Sequence, residues 1–222
     1  MAIAVSSAML RSVPLFASFP EEPLRLLATV VTRRSATRGS IIMAAGDPTE
    51  SLYIVLSGRL KVMMSDADGK EVILTIIGPG EFFGEMGLID DSPRSASVVA
   101  IEPCELLAIT RRDFKKCLAE NFDMSMAVMR GLVRRLREAD RKIGSLALLD
   151  VYGRVARLLL DMSETVDGQK MVTKRLPKQD IAKMIGASRE MVSRVMKDLQ
   201  MGGYIEMRGS TIVLHDTIML RD

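Results

Sequence analysis

Gly80-Glu81-Phe82-Phe83-Gly84-Glu85-Met86-Gly87-Leu88-Ile89-Asp90-Asp91-Ser92-Pro93-Arg94-Ser95-Ala96-Ser97-Val98 is the stretch on which the reading of this 222-residue chain turns. Gly84 and Gly87 lack a Cβ and permit close backbone approach to a ligand. Glu85, set between them, accepts hydrogen bonds from a sugar hydroxyl. Arg94 presents a planar fork of donors that matches a phosphate. The Ser95 hydroxyl and the backbone N–H groups of Ser95 and Ala96 add donors beside it. The residues alone leave two readings open: a phosphate-and-sugar site, or a surface loop closed by a Glu85–Arg94 salt bridge.

The sequence on either side reads as a β domain. Eight of the 16 glycines lie between Gly39 and Gly87, and the segments they bound are short and rich in Ile, Val, Leu and Tyr. Leu52-Tyr53-Ile54-Val55-Leu56 reads as a buried strand, and Arg59-Leu60-Lys61-Val62 alternates as a half-buried one does. Asp66-Ala67-Asp68-Gly69 between such runs predicts a hairpin turn with Gly69 at positive φ. Many short strands with glycine turns indicate a sandwich or barrel. Ahead of them, Pro23 to Val31 reads as a helix.

Composition excludes several classes. Apolar residues make up 48% and charged residues 27%, an ordinary globular balance. No apolar run reaches the roughly 18 residues of a membrane span, so no membrane partner is expected. Met1 to Leu10 has no basic start before its apolar residues and does not read as a secretory signal. Two distant cysteines, Cys104 and Cys117, make neither a CxxC motif nor a disulfide framework, which fits a reducing cytoplasm. The single histidine, His215, rules out a histidine-rich metal site and disfavours a Ser-His-Asp hydrolase. Ser163, Cys104 and Cys117 have no identifiable catalytic partners. No catalytic residue, metal or prosthetic group is therefore expected, and the chain is not read as an enzyme. Residues 1–110 carry net charge −4 and residues 111–222 net +7, so the second half is the one suited to a polyanion.

Beyond the β segment, Met129, Leu132, Leu136, Ala139, Ile143 and Leu146 step by three and four alternately. That is the a/d seam of a coiled coil, and it predicts that a helix from about Phe122 to Leu149 pairs with its own copy. Further on, Pro177 precedes the helical run Lys178–Ile185. Gly186-Ala187-Ser188 forms a turn, with Gly186 left-handed and Ser188 the N-cap of a second helix from Arg189 to Gln200. Val192, Val195, Met196 and Leu199 make that helix's inner stripe. Arg189, Glu190, Ser193 and Arg194 share the opposite face, where a major groove is read. Arginine suits guanine O6/N7 and glutamate the cytosine amino group, so this face favours G·C pairs, with Lys178 adding backbone contacts. Gly202 to Leu214 reads as strand, turn and strand: a wing.

Taken together, Gly84-Glu85-Met86-Gly87-Leu88 with Pro93-Arg94-Ser95-Ala96 resembles the phosphate-binding cassette of cyclic-nucleotide-binding domains. Gly46-Asp47-Pro48, Leu52 to Gly58 and Gly78 to Gly84 resemble the turns and strands of the same domain. The order continues into Leu148-Leu149-Asp150 and a helix-turn-helix, so nearly the whole chain is similar to bacterial CRP/FNR-type transcription regulators. The resemblance implies an α+β architecture: an N-terminal, jelly-roll-like β-roll sensor at 1–112, a dimerisation helix and hinge at 113–149, and a winged helix-turn-helix at 150–222. It implies that Glu85 binds the ribose 2′-hydroxyl and that Arg94 and Ser95 bind the cyclic phosphate. The expected partners are double-stranded DNA at a palindromic promoter site and a second copy of the chain, with RNA polymerase as a further candidate.

The effector is less directly written. FNR-type oxygen sensors need a cysteine cluster and carbon-monoxide sensors need haem ligands, and the chain has neither set. Cyclic-AMP-activated members use a Thr-Ser pair on the dimer helix for adenine, and this chain has Ala139-Asp140 there. A carboxylate at Asp140 takes a guanine N1–H and N2–H pair. Arg137-x-x-Asp140 resembles the RxxD motif of cyclic di-GMP sites, and equally fits an exposed intrahelical ion pair. Cyclic di-GMP and cyclic AMP are the two effectors expected, with cyclic GMP behind them. The alternative is a ligand-independent DNA-binding dimer whose β-roll is degenerate.

Overall fold

The computed structural model describes residues 5–17, 19–174 and 176–215, and the chain divides into two compact units, Met1–Arg135 and Leu136–Asp222. The first unit opens with α1 (Ser7–Arg11), a 3-10 turn at Pro14–Phe16 and α2 (Glu21–Val30). Six strands follow: β1 (Thr32–Ala36), β2 (Ile41–Met43), β3 (Ser51–Ser57), β4 (Leu60–Ser65), β5 (Glu71–Ile77) and β6 (Phe82–Phe83). A one-turn helix α3 (Met86–Ile89) then leads to β7 (Ser97–Ala100), β8 (Cys104–Thr110), α4 (Arg111–Glu120) and the long α5 (Phe122–Leu148). The strands form two antiparallel sheets, ordered β1-β8-β3-β6 and β2-β7-β4-β5.

β3 shows why its run is apolar without alternation. Leu52 and Ile54 join Leu107, Ile109, Phe82 and the helical residues Leu24, Phe114 and Val128 in one buried cluster. Val55, one position out of phase, joins Leu106, Leu60, Val98 and Phe83 in the cluster between the sheets. A strand covered on both faces needs apolar residues at every position. The β4–β5 hairpin turns where expected. The Asp66 carboxylate accepts the N–H groups of Asp68 and Lys70, and Gly69 takes φ +77°.

The helix expected from Phe122 to Leu149 runs from Phe122 to Leu148. One member of its proposed seam is misplaced. Leu132 packs against the buried cluster of the β-roll, while Val133 is exposed beside Met129, Leu136, Ile143 and Leu146. The apolar positions of this helix serve two faces, and a single a/d frame cannot assign both.

In the second unit, α6 (Val151–Asp161) is followed by β9 (Glu164–Val166), β10 (Gln169–Val172), α7 (Lys178–Ile185), α8 (Arg189–Met201), β11 (Ile205–Arg208) and β12 (Thr211–Leu214). The strands pair antiparallel in the order β11-β12-β10-β9. Val192, Val195, Met196 and Leu199 are buried, Gly186 takes φ +66°, and the Ser188 hydroxyl accepts the Met191 N–H at 3.1 Å. The β9–β10 hairpin was not anticipated. It turns on Asp167-Gly168, both at positive φ, the two-residue loop that matches strand twist.

Candidate functional site

The cassette is a tightly packed loop between β6 and β7. Gly84 sits at φ +83°, and a Cβ there would lie 2.4 Å from Arg94 Nη1 and 3.2 Å from the Ser51 carbonyl. A Cβ on Gly87 would lie 2.2 Å from the Ser92 carbonyl and 2.3 Å from Thr49 Oγ1. Both positions therefore demand glycine because of neighbouring protein atoms, whereas the sequence reading tied these glycines to the approach of a ligand. Arg94 is 8% exposed and donates to the carbonyls of Gly84 (2.7 Å) and Ser51 (2.6 Å). Burial pulls its guanidinium below the ordinary arginine range, opposed by Tyr53, Glu85 and Asp47.

Glu85 is 1% exposed and stands at the head of α3. The loop reading expected it to pair with Arg94. It pairs instead with Arg135, on α5, whose Nη1 donates to Oε1. Arg135 Nη2 donates to the Phe82 carbonyl, and the guanidinium lies over the Phe82 ring, 5.0 Å from its centroid. Glu85 Oε2 is buried without a hydrogen-bond partner among the described residues. Ser95 is exposed with its hydroxyl 3.9 Å from the sulfur of exposed Met86, and Ala96 is buried.

The a/d seam gives Arg135 no inward place. Met124, Val128 and Gly131 are the buried positions of α5, and Arg135 follows them in steps of four, three and four. That phase is the signal that places it inward. A second residue not foreseen is Arg111. It donates from Nε (3.0 Å) and Nη2 (2.6 Å) to the Thr49 carbonyl, from Nη2 to the Gly87 carbonyl (3.3 Å), and from Nη1 to Asp91. Thr49 in turn donates to the Ser92 carbonyl at 3.0 Å. The loop from Gly87 to Ser92 is thus tied to the start of β3.

Arg137 and Asp140 lie on the exposed surface of α5 in the second unit and form no ion pair with each other. In the same unit, Arg189, Glu190 and Arg194 are exposed on α8 and Ser193 is half-buried. Ser188 caps their helix and Lys178 begins α7. The β11–β12 wing turns at Gly209, φ +61°, with Arg208 bonded to Glu206 at 2.8 and 2.9 Å.

Residues 33–121 match the family model of the cyclic nucleotide-binding domain, and residues 153–222 that of the Crp-like helix-turn-helix domain. Over 185 residues the chain is 38% identical to the cAMP-activated global transcriptional regulator CRP of Pasteurella multocida, covering 80% of this chain and 87% of that protein. The chain belongs to the CRP/FNR family. This CRP-family protein is also 36% identical to the cAMP-activated global transcriptional regulator Vfr of Pseudomonas aeruginosa, covering 83% and 90% of the two chains. Its fold superposes with a TM-score of 0.76 on the c-di-GMP responsive global regulator CLP of Xanthomonas campestris, at 31% identity over 89% of this chain and all of that one. The CRP-family protein is accordingly a DNA-binding transcription regulator and not an enzyme. Among its described residues no helix is long and apolar enough to cross a membrane.

Proposed function

We propose that the protein is a homodimer that reads a palindromic promoter site in the cytoplasm under the control of cyclic AMP. One observation carries the ligand reading: among the described residues Glu85 Oε2 is a buried acceptor without a donor, in the same loop as the buried Arg94 guanidinium. A buried unpaired acceptor costs about 1–3 kcal/mol, and a ribose hydroxyl supplies the missing donor. Arg94 spends one N–H on each of two carbonyls and has five to offer, which leaves donors for a cyclic phosphate. Ser95 and Ala96 line the same end, and Gly84, Met86 and Gly87 bring the backbone close. The functional bounds that follow are 1–112 for the sensor, 113–149 for the dimerisation helix and hinge, and 150–222 for DNA binding. On DNA, Arg189, Glu190, Ser193 and Arg194 face base edges, Lys178 and Ser188 lie at helix starts near the backbone, and RNA polymerase is the partner that follows.

A second effector has its own support. Asp140 is exposed, is unpaired with Arg137, and offers a carboxylate to a guanine edge, so cyclic di-GMP bound at Arg137 and Asp140 is the competing reading. Calorimetry with cyclic AMP, cyclic GMP and cyclic di-GMP separates them. Cyclic AMP heat abolished by Glu85→Ala and indifferent to Asp140→Ala supports the first reading. Cyclic di-GMP heat lost in Asp140→Ala supports the second, and silence with all three returns the degenerate sensor.

A further inference from the structure

Gly131 is a glycine in the interior of a 27-residue helix. Alanine is the better helix former there, so the glycine has a reason outside the helix. A Cβ on Gly131 would lie 2.6 Å from Phe82 Cζ and 2.9 Å from Cε1. That ring has little room to yield. Phe82 is 6% exposed, sits in the buried cluster with Met124 and Val128, and is held in register by pairing with Ile54. One turn along the same face, Arg135 lies over this ring and reaches both the Phe82 carbonyl and Glu85. The helix therefore touches the cassette at two points one turn apart, and the first fixes the reach of the second.

We infer that Gly131 is a positioning residue: its missing side chain seats α5 against Phe82 closely enough for Arg135 to hold Glu85, and so couples the helix to the ligand cassette. The ligand arm of the test rests on the cyclic-nucleotide reading, and the stability arm does not. In the stability arm, Arg135→Gln lowers the Tm of the otherwise unchanged protein, because it strips the buried Glu85 of its partner. In a Gly131→Ala background the same replacement leaves Tm unmoved, since the pair is already parted. In a Gly131→Ala/Phe82→Leu background, where the smaller side chain makes room, the sensitivity to Arg135→Gln returns. This last comparison also stands if Gly131→Ala alone folds poorly. In the ligand arm, Gly131→Ala still binds cyclic AMP within threefold by calorimetry, while the ratio of DNA affinities with and without cyclic AMP shrinks toward one. An equal Tm loss from Arg135→Gln in both glycine and alanine backgrounds, or no return of sensitivity with Phe82→Leu, overturns the inference. A protein that gives no heat with cyclic AMP defeats the nucleotide reading alone, and the Tm comparison still decides the role of Gly131.

Discussion

At the scale of single residues, the cassette depends on a few buried charged groups that have no cheap substitutes. Arg94→Ala removes a guanidinium that spans two carbonyls and, in our proposal, the cyclic phosphate. Nucleotide affinity is expected to fall by about 1.5–3 kcal/mol in calorimetry on the folded variant, the range for a charge-assisted bond. Unchanged affinity would disprove the assignment. Glu85 and Arg94 were legible because a carboxylate and a guanidinium fork stand among closely spaced glycines. Arg135 was not read, although it bonds Glu85 across 50 residues of sequence. Its only signal is its phase with Met124, Val128 and Gly131, and that signal separates from solvated arginines such as Arg134 and Arg137 only when the inward face of α5 is known.

Elements carry a different set of expectations. Leu136 is 63% and Ile143 64% exposed in the single chain. A stripe of this kind on a long helix suits pairing with its copy, so Leu136→Glu, which would bury an unpaired carboxylate, should yield monomers in sedimentation. A stable dimer in that variant would place the interface elsewhere. In the helix-turn-helix, Gly186 is left-handed, and a Cβ there meets nothing nearer than Leu146 Cδ2 at 3.8 Å. Space is available, so Gly186→Ala is expected to cost only the conformational term, about 1–2 kcal/mol of unfolding free energy. A much larger loss in denaturant unfolding would mean that packing, not φ, fixes the glycine. Around the cassette, Asp91 is held below the usual carboxylate range, chiefly by the Lys115 ammonium and also by Arg111. A depressed folded value means that the tie is fully present above the unfolded carboxylate value of about 3.9 and is lost as pH falls through the lower folded one. Nucleotide affinity should therefore not change between pH 5 and 8 on account of Asp91, and a titration step that disappears in Asp91→Asn would contradict this. The strands at Leu52–Leu56 and Arg59–Val62, the turn at Gly69 and the helix from Arg189 were readable from period and glycine placement. The β9–β10 hairpin carried the Asp167-Gly168 signal but lies in short, mixed strands whose apolar pattern is weak. The seam was misread at Leu132 because one helix packs apolar side chains on two faces.

Across the whole molecule, charge is divided: the acidic first half carries the cassette, and the basic second half carries the helix-turn-helix domain. Replacing Glu190, exposed at the start of α8, by alanine should relax preference at one base pair by about 1–3 kcal/mol while nonspecific binding is nearly unchanged. Selection from randomised DNA measures this, and an unaltered half-site would refute the docking of α8. Lys178→Ala should weaken binding across all sequences and lower the salt slope by about one. The boundary between the two compact units lies inside α5, between Arg135 and Leu136, where the helix is unbroken. At its far end only Leu149 and Asp150 separate it from α6, and Asp150 caps that helix by accepting the Gly153 N–H at 2.8 Å. The backbone ladder of α5 therefore runs unbroken from residues that meet the cassette to residues of the second unit. From Arg135 to Leu148 the rod is about 20 Å long at 1.5 Å per residue. Arg135 closes the first unit and Leu136 opens the second, so the two are joined by helix and not by loop.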